Sequence, residues 1–307
     1  MKSLAWLFPG QGAQAVGMGR DVAEQVPAAA ELFRRASVVL GFDLARVCFE
    51  GPEAELTRSD RAQPAIFVVS MACAEALSGV KPGLAWAFSA GHSLGEWSAL
   101  CAAGAVSFED ALRILQSRGR FMQEACEQNP GAMLAVLGLP REAVEQVAAR
   151  SGAEVANFNE PSQTVLSGTR ESIDAAEKVA VELKAKRAVR LPVAGAFHST
   201  LMKPAADRLA ELLSGVAFAP ARFPVMSNAT GRPHGGPDEI RKAMVLQVTS
   251  SVRWVDCVQY LAAQGVQRYV ECGPGRILTG LVKRIDREAE LHNISDLPSL
   301  QAVSARI

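Results

Sequence analysis

The chain has no surplus of positive charge, because Lys plus Arg and Asp plus Glu each total 32. Nothing in that balance would track a phosphate backbone or an anionic bilayer, so neither nucleic acid nor a membrane is an expected partner. Cysteines are few, six in 307 residues, and Cys48, Cys73, Cys101, Cys126, Cys257 and Cys272 lie far apart with no C-x-x-C pair. Their mostly apolar neighbours point to buried free thiols in a reducing compartment. A secretory h-region is missing too: Leu4 to Phe8 is apolar, but Pro9-Gly10 interrupts the run. The longest apolar segment, around Ala65 to Ala74, is broken by Ser70 and is too short to span a bilayer. A cytoplasmic location and a monomeric state are expected. No internal repeat, low-complexity tract or long linker occurs. What the chain does have is 49% hydrophobic residues against 21% charged, enough apolar side chains to fill a sizeable core.

Met1 to Phe8 reads as a buried strand that stops at the turn-rich Pro9-Gly10-Gln11-Gly12, as at the carboxyl end of a parallel strand. Asp21 to Leu40 has helical periodicity, and Gln63-Pro64 places a proline at a first helical position. Leu84 to Ala90 is a second apolar strand, after which Leu94 to Leu100 turns helical. The middle of the chain has another rhythm. Strands are expected over Ala132 to Leu139, Ala153 to Phe158, Gln163 to Ser167 and Arg187 to Val193, with helices from Pro140 to Arg150 and from Arg170 to about Lys186. That order, β-α-β-β-α-β, predicts a ferredoxin-like subdomain over 129–195, inserted into a larger α/β domain of 1–128 and 196–307. Beyond it, Pro204 to Leu213 and Asp256 to Gln264 read as helices, and Phe223 to Ser227 and Arg268 to Cys272 as strands. Glu288 to Ile307 has weak periodicity and is expected to be a surface-packed or frayed tail.

Gly91-His92-Ser93-Leu94-Gly95 fits G-x-S-x-G, a strained strand-to-helix turn that exposes the serine hydroxyl and aims a helix amino terminus at any oxyanion beside it. A serine needs a base within hydrogen-bond reach, and there are only four histidines to choose from. His92 adjoins the serine and should point away from the hydroxyl; His234 lies in a loop with no sign of a fixed site; His292 lies in the tail. His198, directly after the last strand of the expected subdomain, is the best candidate base. A serine and a histidine suit hydrolysis or acyl transfer alike.

A set of motifs in register separates the two. Phe8-Pro9-Gly10-Gln11-Gly12-Ala13-Gln14, Gln63-Pro64-Ala65, Gly91 to Glu96, Arg118-Gly119-Arg120-Phe121-Met122-Gln123, Asn157-Phe158-Asn159, Ala196-Phe197-His198-Ser199, Gln247 before Val252-Arg253-Trp254, and Gly273-Pro274-Gly275 occur in order. In order and spacing, from the first strand to about Arg284, the chain resembles the malonyl-CoA:acyl-carrier-protein transacylases. One departure stands out: Glu160-Pro161-Ser162 follows Asn159 where the family usually has a small residue, proline and glycine, which alters one rim loop.

The resemblance implies a hydrolase-like α/β core with a mainly parallel sheet. It further implies that Ser93 takes malonyl from a coenzyme A thioester while His198 accepts its proton, and that the malonyl ester then passes to the phosphopantetheine thiol of an acyl carrier protein. Backbone N–H groups of Gln11 and Leu94 would form the oxyanion hole, and a main-chain carbonyl near Gln247, with no carboxylate, would orient the base. Arg118 would pair with the free malonyl carboxylate, a role that spacing alone does not assign over Arg113 or Arg120. Gln63 and Asn157 match polar lining positions, and Leu94 and Phe197 look malonyl-selective, a preference worth about 1–3 kcal/mol per methyl group. No metal and no redox cofactor is required. The carrier would meet a basic patch, for which Lys186, Arg187, Arg190, Lys283 and Arg284 are candidates. A loader for a polyketide synthase or a malonate decarboxylase carrier is the alternative within this reading. More remote is a serine hydrolase, which should add an acidic residue and a late histidine after the serine.

Overall fold

The computed structural model describes residues 3–193 and 195–307. Met1 and Lys2, expected at the head of the first strand, lie outside them. The described residues form ten strands: β1 (Ser3–Phe8), β2 (Trp86–Gly91), β3 (Gly131–Leu137), β4 (Glu154–Glu160), β5 (Gln163–Thr169), β6 (Arg187–Arg190), β7 (Met226–Ser227), β8 (Arg232–Pro233), β9 (Val266–Cys272) and β10 (Glu290–Ile294). One sheet runs β10-β9-β1-β2, with every neighbouring pair parallel. The alternation of a strand explains how β1 can be apolar along its whole length. Leu4, Trp6 and Phe8 pack into the core beneath the helices Pro27–Leu40, Ser59–Val80 and Phe108–Gln128, whereas Ala5 and Leu7 face the helices Trp254–Ala263 and Ile277–Ile285. With both faces covered, the carboxyl ends of β1 and β2 are left open, and both lead directly into glycine-bearing turns.

A second, antiparallel sheet runs β4-β5-β3-β6. On one face Leu134, Val136 and Leu166 pack under Val144, Val147, Ile173 and Ala176 of the helices Arg141–Ser151 and Arg170–Glu182. On the other, Met133, Ala135 and Val165 join the main core. The edge strand β4 is tied to the segment before the helix Trp254–Ala263 by two backbone bonds: Phe158 N–H donates to the Val252 carbonyl (2.9 Å), and Val252 N–H to the Ala156 carbonyl (2.8 Å).

Several expected elements differ. The helix carrying Gln63 begins at Ser59, so Pro64 is its sixth residue and not its first. Its missing N–H leaves only the Asp60 carbonyl without a helical donor, a small loss this close to the amino terminus. At 22 residues this helix is also long and apolar enough to cross a bilayer, unlike the shorter segment read from the sequence. Its apolar window is 72% buried against neighbouring elements, so it is a core helix of this fold. The residues from Glu288 onward are no frayed tail. β10 adds a parallel edge to the sheet, and the helix Leu297–Ser304 follows, with Asp296 and Ser299 forming a reciprocal cap and Leu300 and Val303 buried. The sequence Glu290-Leu291-His292-Asn293-Ile294 hides this strand because an edge tolerates polar residues. Phe223 to Ser227 contracts to the two-residue β7, with Val225 bridging Ser89. β6 ends at Arg190, short of Val193, and the helix before it ends at Glu182.

Candidate active site

β2 ends at Gly91 and the helix Gly95–Ala102 begins four residues later, which forces a sharp turn at Ser93. Ser93 adopts φ 52°, in the left-handed region that side chains resist. The flanking glycines are required by contact and not by dihedral freedom. A Cβ on Gly91 would sit 1.9 Å from the Gly95 carbonyl oxygen, and one on Gly95 would sit 2.1 Å from that of Phe8. Asn228 locks the turn from below: its Oδ1 accepts from Ser93 N–H (2.7 Å) and its Nδ2 donates to the Gly91 carbonyl (2.8 Å).

Ser93 Oγ lies 2.8 Å from His198 Nε2, and His198 Nδ1 lies 2.9 Å from the main-chain oxygen of Gln247. A carbonyl only accepts, so the ring proton resides on Nδ1 and Nε2 is left free to accept the serine proton. Burial, with the nearby Arg118 guanidinium second, pulls the His198 pKa down to about 3. The imidazole is therefore neutral, the form in which it can accept a proton. Among the described residues, no carboxylate contacts its ring. His198 also has a positive φ, 56°, so both side chains of this hydrogen-bonded pair are presented from strained backbone.

Arg118 is the feature that sequence spacing could not select. It is 1% exposed, whereas the side chains of Arg113 and Arg120 on the same helix are 58% and 60% exposed. Nη1 donates to Gln63 Oε1 (2.7 Å), and Nη2 donates to Gln247 Oε1 (3.1 Å) and to Ser93 Oγ (3.2 Å). Burial lowers its pKa to about 10, opposed by the buried Glu96, so it keeps its charge at neutral pH. Of the five N–H donors of a guanidinium, three are engaged, and Nε has no acceptor among the described residues. A fixed cation with spare donors beside a nucleophile is a site for an anionic group.

Gln63 and Gln247, both fully buried, thus stand behind Arg118, while Arg118, Asn157, Phe197, Ser93 and His198 line a cavity of about 380 Å³. Gln11 lies on its rim, with its side chain donating to Ser59 Oγ (3.2 Å). Neither Gln11 N–H nor Leu94 N–H has an acceptor among the described residues; Leu94 follows Ser93 in the chain, and Gln11 lines the same cavity as Ser93. Met133, Val165, Leu191, Leu278 and Leu281 supply apolar wall. His92 Nε2 meets Asn159 Oδ1 (2.9 Å), and burial lowers its pKa. Among the described residues, no cluster of three or more His, Cys, Asp or Glu is arranged to hold a metal.

Sequence reasoning missed three residues. Asn228 and Glu96 have no role readable from local pattern. His234, taken for a loop residue without a fixed site, has a side chain only 3% exposed, and its Nε2 lies 2.6 Å from Glu96 Oε1. A His-Gly-Gly segment rich in turn residues gives no local hint that its side chain turns inward, because the partner is 138 residues away. The departure at Glu160 also resolves. Glu160 is 6% exposed, accepts from Ser162 N–H and Oγ, and pairs with Arg284 (3.3 Å), so it closes the β4–β5 turn instead of adding free charge to the rim. Two of the candidate docking cations are accordingly engaged: Arg284 with Glu160, and Arg190 with Asp174 and Glu177.

The acyl transferase domain profile matches residues 5–302. The chain is 43% identical to a malonyl CoA-acyl carrier protein transacylase of Bacillus subtilis, over 98% of this chain and 96% of that one. Among solved structures, an acyl carrier protein S-malonyltransferase from Vibrio cholerae superposes with a TM-score of 0.95 at 40% identity, covering 98% of this chain and 99% of the other. A malonyl-transacylase solved with its type II PKS acyl-carrier protein does so with 0.96 at 38% identity, covering 99% and 100%. The chain therefore belongs to the acyl transferase domain family, among its malonyl-CoA:acyl-carrier-protein transacylases.

Proposed function

We propose that this chain moves a malonyl group from malonyl-CoA to the phosphopantetheine thiol of an acyl carrier protein, supplying fatty-acid synthesis. The observation that carries the reading is Arg118 Nη2 standing 3.2 Å from the same Oγ that His198 Nε2 approaches at 2.8 Å. A carboxylate clamp and an activated nucleophile share one cavity. As Ser93 Oγ bonds the thioester carbon, its proton passes to His198 Nε2. The oxyanion is met by the N–H groups of Gln11 and Leu94, the second at the positive end of the helix Gly95–Ala102. The C–S bond breaks and coenzyme A leaves with the proton from His198. Malonyl-Ser93 remains until the carrier thiol attacks, yields its proton to His198 and expels Ser93, which recovers that proton. Neither step calls for a metal or redox group.

We further read 129–195 as a ferredoxin-like insertion between 1–128 and 196–307. The order β4-β5-β3-β6, with two helices on one face and an apolar cluster of its own, supports this. Lys186 and Arg187, with no ion pair among the described residues, precede the mouth residues Leu191 to Val193 and suit an acidic carrier. A cytoplasmic location fits six unpaired thiols. The PKS complex favours a second reading, a polyketide loader. A hydrolase is disfavoured because His198 leans on a carbonyl. Initial rates over a grid of malonyl-CoA and holo-carrier should give parallel double-reciprocal lines, with free malonate released only slowly. Intersecting lines, or fast malonate release without carrier, would overturn the proposal.

A further inference from the structure

Gln247 is completely buried and contacts Ser93, His198 and Arg118 alike. Its main-chain oxygen accepts from His198 Nδ1 (2.9 Å), its Oε1 accepts from Arg118 Nη2 (3.1 Å), and its Nε2 donates to the Ser93 carbonyl (2.9 Å) and to Glu96 Oε2 (2.6 Å). Reversing the amide would set N–H against guanidinium N–H and oxygen against two acceptors. The side chain therefore has one workable orientation, and Glu96 supplies the closest contact that fixes it.

Glu96 is 0% exposed in the first turn of the elbow helix, and three donors converge on it. Besides Gln247 they are Asn228 N–H (3.0 Å) and His234 Nε2 (2.6 Å). A carboxylate accepts at both oxygens and donates at neither, so it satisfies all three and fixes the His234 proton on Nε2. Through Asn228 the same group supports the Ser93 turn. His234 approaches from the far side, is absent from the cavity lining, and holds the carboxylate in place at the end opposite Gln247.

We infer that Glu96 and His234 form a buried positioning pair that orients Gln247, and through it sets the base His198 and the clamp Arg118 together. The inference rests on the transacylase reading of those two residues. A pair that only stabilised the fold would change melting temperature and leave substrate choice alone. A pair that orients Gln247 must change the acylation rate and the malonyl-over-acetyl preference together, because one side chain serves both groups.

The test is the pre-steady-state rate of Ser93 acylation with malonyl-CoA and with acetyl-CoA, alongside the melting temperature. His234→Ala should slow malonyl loading roughly tenfold or more, the effect of losing one hydrogen bond to a charged group, and should cut the malonyl-over-acetyl ratio by about fivefold or more. His234→Gln, which can still donate to Glu96, should restore both to within about threefold. Glu96→Ala removes both acceptors and should show the same joint loss. Val144→Ala, in the core of the second sheet, is the stability control and should lower the melting temperature with the ratio unchanged. The positioning pair is overturned if His234→Ala keeps both readouts within about twofold of wild type, or if Val144→Ala reproduces the joint loss. A wild type that forms no malonyl-Ser93 sinks the transacylase reading instead.

Discussion

Replacing Arg118 by alanine removes the cation from a site built around it. The side chain is 1% exposed and is held toward Ser93 by Gln63 and Gln247. A malonyl carboxylate brought into that cavity would be buried without a partner. Breaking a buried pair from one side costs about 3–5 kcal/mol, which is roughly a few-hundred- to few-thousand-fold in kcat/KM. Acetyl carries no carboxylate and should lose little of that. Attack on it should be assisted by a slightly stronger base, since Arg118 is one of the groups depressing His198. Arg118→Lys should fall between, because an ammonium lacks the planar fork that spans Gln63, Gln247 and a carboxylate at once. Single-turnover acylation with malonyl-CoA and acetyl-CoA separates these effects from carrier binding. A malonyl-over-acetyl ratio within about fivefold of wild type in Arg118→Ala would refute the clamp, since the loss expected from an unpaired buried charge is far larger.

With His198 depressed to about 3, acylation by the free enzyme should show no midpoint near 6.5 as the pH falls from 7 to 5; a titration centred near the ordinary imidazole value would contradict the buried neutral base. The same shift acts on stability. Below pH 6.5 the unfolded chain binds a proton that the folded chain refuses until about pH 3, so stability falls with pH across that window by up to about 1.4 kcal/mol per unit for this group. His198→Gln should flatten that slope in urea unfolding at pH 7 and 5; an unchanged slope would place the residue elsewhere. Gly95→Ala should cost about 3 kcal/mol or more, because the new methyl meets the Phe8 carbonyl at 2.1 Å. Gly280→Ala, in a helix with nothing within 4 Å, should stabilise by about 0.5–1 kcal/mol. Thermal melts that failed to separate these two glycines would undercut the close-approach account of the elbow.

The elbow was legible because its constraints are local. A strand, two glycines and a helix start lie within a dozen residues, and periodicity reports each of them. The alternation of β3 to β6 with two helices was legible for the same reason, down to the order of elements. Arg118 was not separable from Arg113 and Arg120 by pattern, since all three sit on one helix and only tertiary burial distinguishes them. Only the family register proposes it as the clamp. The support beneath the site was invisible altogether: Glu96 meets Asn228, His234 and Gln247 across 132, 138 and 151 residues, and no local signal spans such distances. Two errors had a common cause. Pro64 and β10 both carry residues that usually end or exclude an element, yet a proline early in a helix and polar residues on a sheet edge each leave few backbone groups unpaired.

The claim that Ser93 holds malonate between two thiols is tested most directly by intact-mass measurement. The wild-type protein and Ser93→Ala are each mixed with malonyl-CoA, then chased with holo-acyl carrier protein. The account predicts one malonyl adduct on the wild type, none on Ser93→Ala, and transfer of that mass to the carrier during the chase. A wild type that stays unmodified, or a Ser93→Ala protein that still becomes malonylated, would contradict it.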